Sequence, residues 1–140
     1  MHPANDPLAP LRDSGQRYWR RFTPTADLPA RVTLVAAGGR LTGREVFDLS
    51  LGGLGLRLKW RDPSRIAVGT SMHVELELMG GVPLRFRAKC MHMQKKKERL
   101  IAHWDAGLMF ENNLAYAQAK SRIATYLLKL ERRERERLAA

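Results

Sequence analysis

Three arginines and one short polar strand hold the residues best suited to chemistry in this sequence. Arg17 and Arg21 stand four apart in "QRYWRRFTP" (16–24), with Arg20 beside Arg21. Each guanidinium offers a planar fork of donors that can clamp phosphate at two points, and a flat face that stacks on a base. After 26 further residues comes "DLSLGGLGLRL" (48–58), in which Asp48 supplies a carboxylate acceptor and Ser50 a hydroxyl. Gly52, Gly53 and Gly55 follow at once. Glycine is poor in a strand interior unless the backbone bends there or something comes close to it, and strands disfavour Asp. Strand alternation places Asp48 and Ser50 on one face beside bare backbone. Together the two stretches have the parts to enclose a nucleotide, phosphates and purines included. The chemistry is binding rather than reaction, because no base stands beside Ser50 to activate its hydroxyl.

These residues need a scaffold, and the hydrophobic pattern supplies a β-rich one with helical character at the end. "ARVTLVA" (30–36) is a first strand, and "RLTGREVFDLS" (40–50) pairs back on it across Gly38 and Gly39. "GLGLRLKW" (53–60) alternates again, and a loop around Pro63 follows. In "MHVELELM" (72–79), Met72, Val74, Leu76 and Leu78 alternate with His73, Glu75 and Glu77, so one face is buried and the other wet. "VPLRFRAKCMHM" (82–93) and "RLIAHWDAGLMF" (99–110) make a last hairpin whose solvated tip is the lysine run 95–97. Six short antiparallel strands point to a small barrel or sandwich. From Leu114 to Arg137 the period becomes helical, with Leu114, Ile123, Leu127 and Leu130 suited to one face. That helix is longer than a small barrel needs, so its "ERRERER" end is expected to project. Residues 1–25 hold four prolines and few apolar anchors, and read as a flexible arm carrying the arginines ahead of a barrel over 26–113 and a helix over 114–140.

Composition narrows the function further. The chain has 140 residues, room for one domain with a real core, and its apolar runs are far too short to span a bilayer. Its start shows no basic stretch followed by an apolar one, so no secretion signal is expected. The single cysteine, Cys90, lies in strand-like sequence and reads as an inert core thiol, which suits a cytoplasmic protein of bacterial type. His2, His73, His92 and His103 lack metal-ligand spacing, and no phosphate-loop or nucleophile-elbow motif occurs, so neither a metal, a cofactor nor an enzyme activity is expected. Twenty-five basic against 14 acidic residues give a net charge of +11, which favours an anionic partner.

Arg17-x-x-x-Arg21 followed by Asp48-x-Ser50-x-x-Gly53 resembles the signature of PilZ domains, bacterial receptors for the second messenger cyclic di-GMP. The likeness continues through "ADLPARVTLV", "VFDLSLGGLGLRL" and "WDAGLMFENN", from about residue 16 to 128. It implies a six-stranded antiparallel β-barrel with a C-terminal helix, and cyclic di-GMP as ligand. It further implies that Arg17 and Arg21, with Arg20 in reserve, hold guanine and phosphate. Asp48 would accept from a guanine edge or orient the arginine clamp, Ser50 would bond base or phosphate, and Gly53 would leave room for the ligand. Arg57, brought by alternation to the same surface, and Trp104, as a stacking face, complete the expected site. Such a receptor signals by ordering its arm over the nucleotide and changing its contacts with a protein partner, as in motility or biofilm control. One departure stands out: Arg21-Phe22-Thr23-Pro24 replaces the family's frequent R-x-P, and a register fixed by "DLP" (27–29) would put the second arginine slot near Thr23. That leaves two alternatives, a ligand-free adaptor in motility or type IV pilus function, and a basic barrel binding single-stranded nucleic acid. The second lacks the repeated exposed aromatics used for stacking.

Overall fold

The computed structural model describes residues 19–59, 61–64, 66–98 and 101–139. The strands are β1 (Ala30–Ala36), β2 (Gly39–Leu49), β3 (Gly53–Leu58), β4 (Ser71–Leu78), β5 (Leu84–Glu98) and β6 (Ile101–Phe110), followed by the helix α1 (Leu114–Ala139). All strand pairings are antiparallel, and the order β1-β2-β3-β6-β5-β4 closes on itself as a barrel. Alternation drives this closure: Val32, Leu34, Leu41, Leu54, Leu56, Met72, Val74, Leu76, Ala88 and Leu108 point inward and are almost wholly buried. No strand of the barrel is left as a free edge.

The helix closes one end. Asn113 caps it, its Oδ1 accepting from the Tyr116 amide at 3.1 Å. Tyr116, Ala119, Ile123, Tyr126, Leu127 and Leu130 form the buried stripe. Tyr116 packs edge-on to Phe86, which meets Phe110 at 4.9 Å between ring centres. The two tyrosine hydroxyls donate to backbone carbonyls of the barrel rim, Tyr116 to Leu51 and Tyr126 to Leu28, the latter at 2.6 Å. Burial pushes the Tyr126 hydroxyl pKa up, with the nearby Asp27 charge adding to it, so the hydroxyl stays a donor throughout the physiological range.

Three expectations need correction. The lysine run is not the hairpin tip: Lys95, Lys96 and Lys97 lie within β5, opposite Trp104, His103 and Ala102 of β6. Lysine stems are long enough to lie along a ribbon while their ammonium groups stay in water, so the ladder runs straight through them. Leu114 is exposed, because as the first helical residue it lies outside the stripe that begins at Tyr116. The helix end does not simply project, since Arg133 pairs with Asp27 at 2.7 Å, and Glu131 and Glu134 approach Arg20 at 3.7 and 3.4 Å. Cys90 is buried, and burial raises its thiol pKa, consistent with an inert thiol.

Candidate functional site

The outer face of β2, β3, β6 and β5 is built on glycine. Register sets Asp48 opposite Gly55, Gly55 opposite Gly107, and Gly107 opposite His92, so one row crosses four strands. A methyl group on Gly55 would lie 2.6 Å from the Phe47 ring and 2.7 Å from Asp48 Oδ1. One on Gly107 would fall on the imidazole ring of His92. Missing side chains therefore let Phe47, Asp48 and His92 lie flat across the sheet instead of standing away from it. Phe47 and Asp48 both reach this outer face because a bulge between Val46 and Asp48 sets two residues against one of β3. Leu49 returns to the interior.

The segment before β1 docks beside this row. Phe22 forms a two-hydrogen-bond bridge with Leu49, both at 2.9 Å, and is itself buried. An extended segment sends neighbouring side chains opposite ways. Arg21 turns to the barrel, its Nη1 donating to Asp48 Oδ1 at 2.7 Å. Arg20 turns to the helix, over the Phe22 ring and toward Glu131 and Glu134. Between this segment and the last turns of α1 lies an open cleft of about 450 Å³ whose lining includes Arg21, Thr23, Thr25, Arg133 and Arg137. At its rim, Asp27 is held below the ordinary carboxylate range by the Thr25 hydroxyl and then by Arg133. The indole of Trp19 occupies the space that a side chain at Gly52 would need.

The expected site residues divide clearly. Arg21 and Asp48 come together as an ion pair, and Arg57 shares the outer face, 3.9 Å from both Glu45 and Asp105. Arg20 faces the helix, and Arg17 lies outside the described residues. Ser50 is wholly buried rather than on Asp48's face; its hydroxyl accepts from the amides of Gly52 and Gly53 at 3.1 Å each and donates to Gly53 O. It shapes the turn from which β3 starts. Gly53 is required by the backbone of β6, since a methyl group there would overlap the Leu108 carbonyl oxygen; the clearance on the outer face comes from Gly55 and Gly107. Trp104 lies opposite Leu58, packed against the core and facing away from the Asp48 row. The exposed planar group on that row is His92, whose place depends on pairing with Gly107 across two chain segments. Among the described residues no group of His, Cys, Asp or Glu is placed to hold a metal ion, and no helix is long and apolar enough to cross a membrane.

The described residues form a six-stranded antiparallel barrel with a glycine-floored outer face and an arginine-bearing segment docked beside it, and comparison with known proteins gives its family. The model described as PilZ domain matches residues 15–129, and the chain belongs to that family. No curated protein matches it in sequence. Among solved structures it is similar to the PilZ domain with c-di-GMP of YcgR from Escherichia coli, with a TM-score of 0.66 and 21% identity over 85% of this chain and 94% of that one. It is also similar to the K. pneumonia MrkH–c-di-GMP complex, with a TM-score of 0.71 and 16% identity over 84% of this chain and 53% of that one. PlzA of Borreliella burgdorferi in complex with c-di-GMP matches at a TM-score of 0.56 and 12% identity, over 88% of this chain and 57% of that one. The chain thus spans a little over half the length of the MrkH and PlzA chains. At these identities the likeness is one of fold.

Proposed function

We propose that this chain is a receptor for cyclic di-GMP that binds the nucleotide on the glycine-floored face and signals through its N-terminal segment. The observation that carries the reading is the Arg21–Asp48 ion pair, which joins the second arginine of the RxxxR stretch to the carboxylate of the DxSxxG stretch. It favours the register in which Arg21, not Thr23, fills the arginine slot. The solved YcgR PilZ domain with c-di-GMP and the MrkH–c-di-GMP complex, both similar in fold, support the choice of ligand. Arg21 is 41% exposed, so its guanidinium is open to a phosphate while Asp48 fixes its orientation. Arg17, four residues earlier, supplies a second fork from the arm. His92 and Phe47, lying flat, offer faces on which a purine can stack. Nothing in this set activates a nucleophile, so the ligand is held and not transformed.

Signalling follows from the connection of Arg20 and Asp27 to α1. The same short segment touches the nucleotide face through Arg21 and the helix through its neighbours, so ligand contacts at Arg21 bias the helix end and the surface it offers a protein partner. Ordering of the arm over the nucleotide completes the reading.

Calorimetry of the folded chain with cyclic di-GMP tests it. Saturable binding with a shallow salt dependence is expected, since a compact dianion held by hydrogen bonds releases few counterions. Absence of binding would transfer the case to the ligand-free adaptor, and steep salt dependence with a preference for single-stranded nucleic acid would favour the basic barrel. Limited proteolysis tests the arm: cleavage within residues 1–25 should slow at saturating ligand, and an unchanged rate would refute the ordering step.

A further inference from the structure

Beside the Asp48–Gly55–Gly107–His92 row lies a second one on the same outer face. Two residues along each strand, Arg57 of β3 stands opposite Asp105 of β6, which stands opposite Gln94 of β5. Two residues span roughly 6.6 Å, about the width of a purine. The row offers a cation, a carboxylate and a carboxamide in line, next to the surface on which a base can lie.

Asp105 is incompletely satisfied. Its Oδ1 is buried from solvent and accepts no hydrogen bond, although Arg57 Nε stands 3.9 Å away and His103 Nε2 3.4 Å away. A carboxylate oxygen in that state lacks the donors that usually offset its burial. Asp48 differs, because its Oδ1 is already engaged by Arg21. Glu45, the other carboxylate near Arg57, is 61% exposed and solvated, so among the described residues it is Asp105 whose buried oxygen has acceptor capacity left over. Arg57 covers it loosely, being shared with Glu45 at the same 3.9 Å.

We infer that Asp105 determines base specificity at this site: with Arg57 drawn to the anionic ligand, its carboxylate accepts the N1–H and 2-amino group of a guanine. Two adjacent donors on the guanine edge match two carboxylate oxygens. Adenine, with one donor beside an acceptor, does not match a carboxylate but does match a carboxamide, by the same pairing rules that govern base-edge readout. The inference rests on the cyclic di-GMP reading above and adds to it which residue tells guanine from other purines.

The test is calorimetry of the folded chain, Asp105→Asn and Asp105→Ala against cyclic di-GMP, its hypoxanthine analogue without the 2-amino groups, and cyclic di-AMP. The unmutated chain should lose roughly tenfold in affinity for the hypoxanthine ligand, the scale of one mismatched edge contact. Asp105→Ala should abolish that difference, and Asp105→Asn should move the preference toward cyclic di-AMP. Should Asp105→Ala fail to fold, Asp105→Asn, matched in shape, carries the comparison. Equal affinity of the unmutated chain for guanine and hypoxanthine ligands would overturn the inference, as would a difference that both variants preserve. Failure of the folded, unmutated chain to bind any of the three would instead bring down the receptor reading with it.

Discussion

The two halves of the barrel treat their outer faces in opposite ways. Around β1, β4 and the first half of β5, charged side chains stand out and pair with one another and with the ends of neighbouring strands: Glu75 of β4 lies 2.8 Å from Arg40 at the start of β2 and 3.7 Å from Arg85, and Arg87 lies 3.7 Å from Glu111 just after β6. On β2, β3, β6 and the second half of β5, glycines replace standing side chains and flat groups lie across them. One half is closed by its own charges. The other keeps its polar groups low and near bare backbone, where a ligand can reach them. A sheet face that forgoes side chains gives up packing, and the place where it does so is therefore informative about binding.

Substitutions can break this contrast, the largest effect arising at the seam between the halves. There Asp62 is buried and accepts from Arg44 at 2.6 and 2.9 Å and from the Lys59 amide at 2.7 Å. Asp62→Ala should cost about 3 kcal/mol or more, because it leaves Arg44 as a partly buried charge without its partner. Burial alone would raise the Asp62 pKa, but these hydrogen bonds outweigh it and hold the group below its ordinary value of 3.8. A lowered folded-state pKa gives stability that is present above the unfolded value and lost as pH falls through the folded one. Melts of the unmutated chain should therefore show part of its acid destabilisation developing below pH 3.8, and the variant should lack that part.

Next comes the glycine face itself. Gly53→Ala should cost about 3 kcal/mol in denaturant unfolding, since the added methyl meets backbone of β6 that cannot turn aside. A loss below about 0.5 kcal/mol would show that the close β3–β6 approach is not needed. Arg21→Ala should leave the melting temperature nearly unchanged, its pair with Asp48 being solvent-screened. It should still weaken cyclic di-GMP binding by about 1.5–3 kcal/mol, or roughly ten- to more than a hundredfold. The smallest effect belongs to the self-paired half: Glu75→Gln should alter stability by about 0.5 kcal/mol and leave ligand affinity as it was. An affinity loss there comparable to that of Arg21→Ala would abolish the division between the two faces.

The barrel was legible in the sequence because inward residues alternate regularly along its unbulged stretches, as in Met72, Val74, Leu76 and Leu78 of β4, and because Gly38 and Gly39 punctuate the first hairpin. The pairing of Arg21 with Asp48 was legible as residue types at a familiar spacing. Ser50 was misread because a simple period of two cannot register the bulge at Phe47 and Asp48, which carries the chain to the rim one residue early. Trp104 is expected as a stacking face from the resemblance, whereas the regular alternation of β6 sets it with Ala106, Leu108 and Phe110 on the side that faces the core. The row joining Gly55, Gly107 and His92 could not be read locally at all, since it exists only once β2, β3, β6 and β5 are in register.

Trp19 gives the docked segment an optical signature. Its indole is 50% exposed and occupies the space over Gly52, just ahead of the segment that carries Arg20 and Arg21. Indole emission moves to longer wavelength when the ring passes from a protein surface into water. The chain has three tryptophans, so replacing Trp60 and Trp104 by phenylalanine would leave Trp19 as a single native fluorophore. Its colour would then report, without any attached label, whether the segment lies on the barrel or has left it.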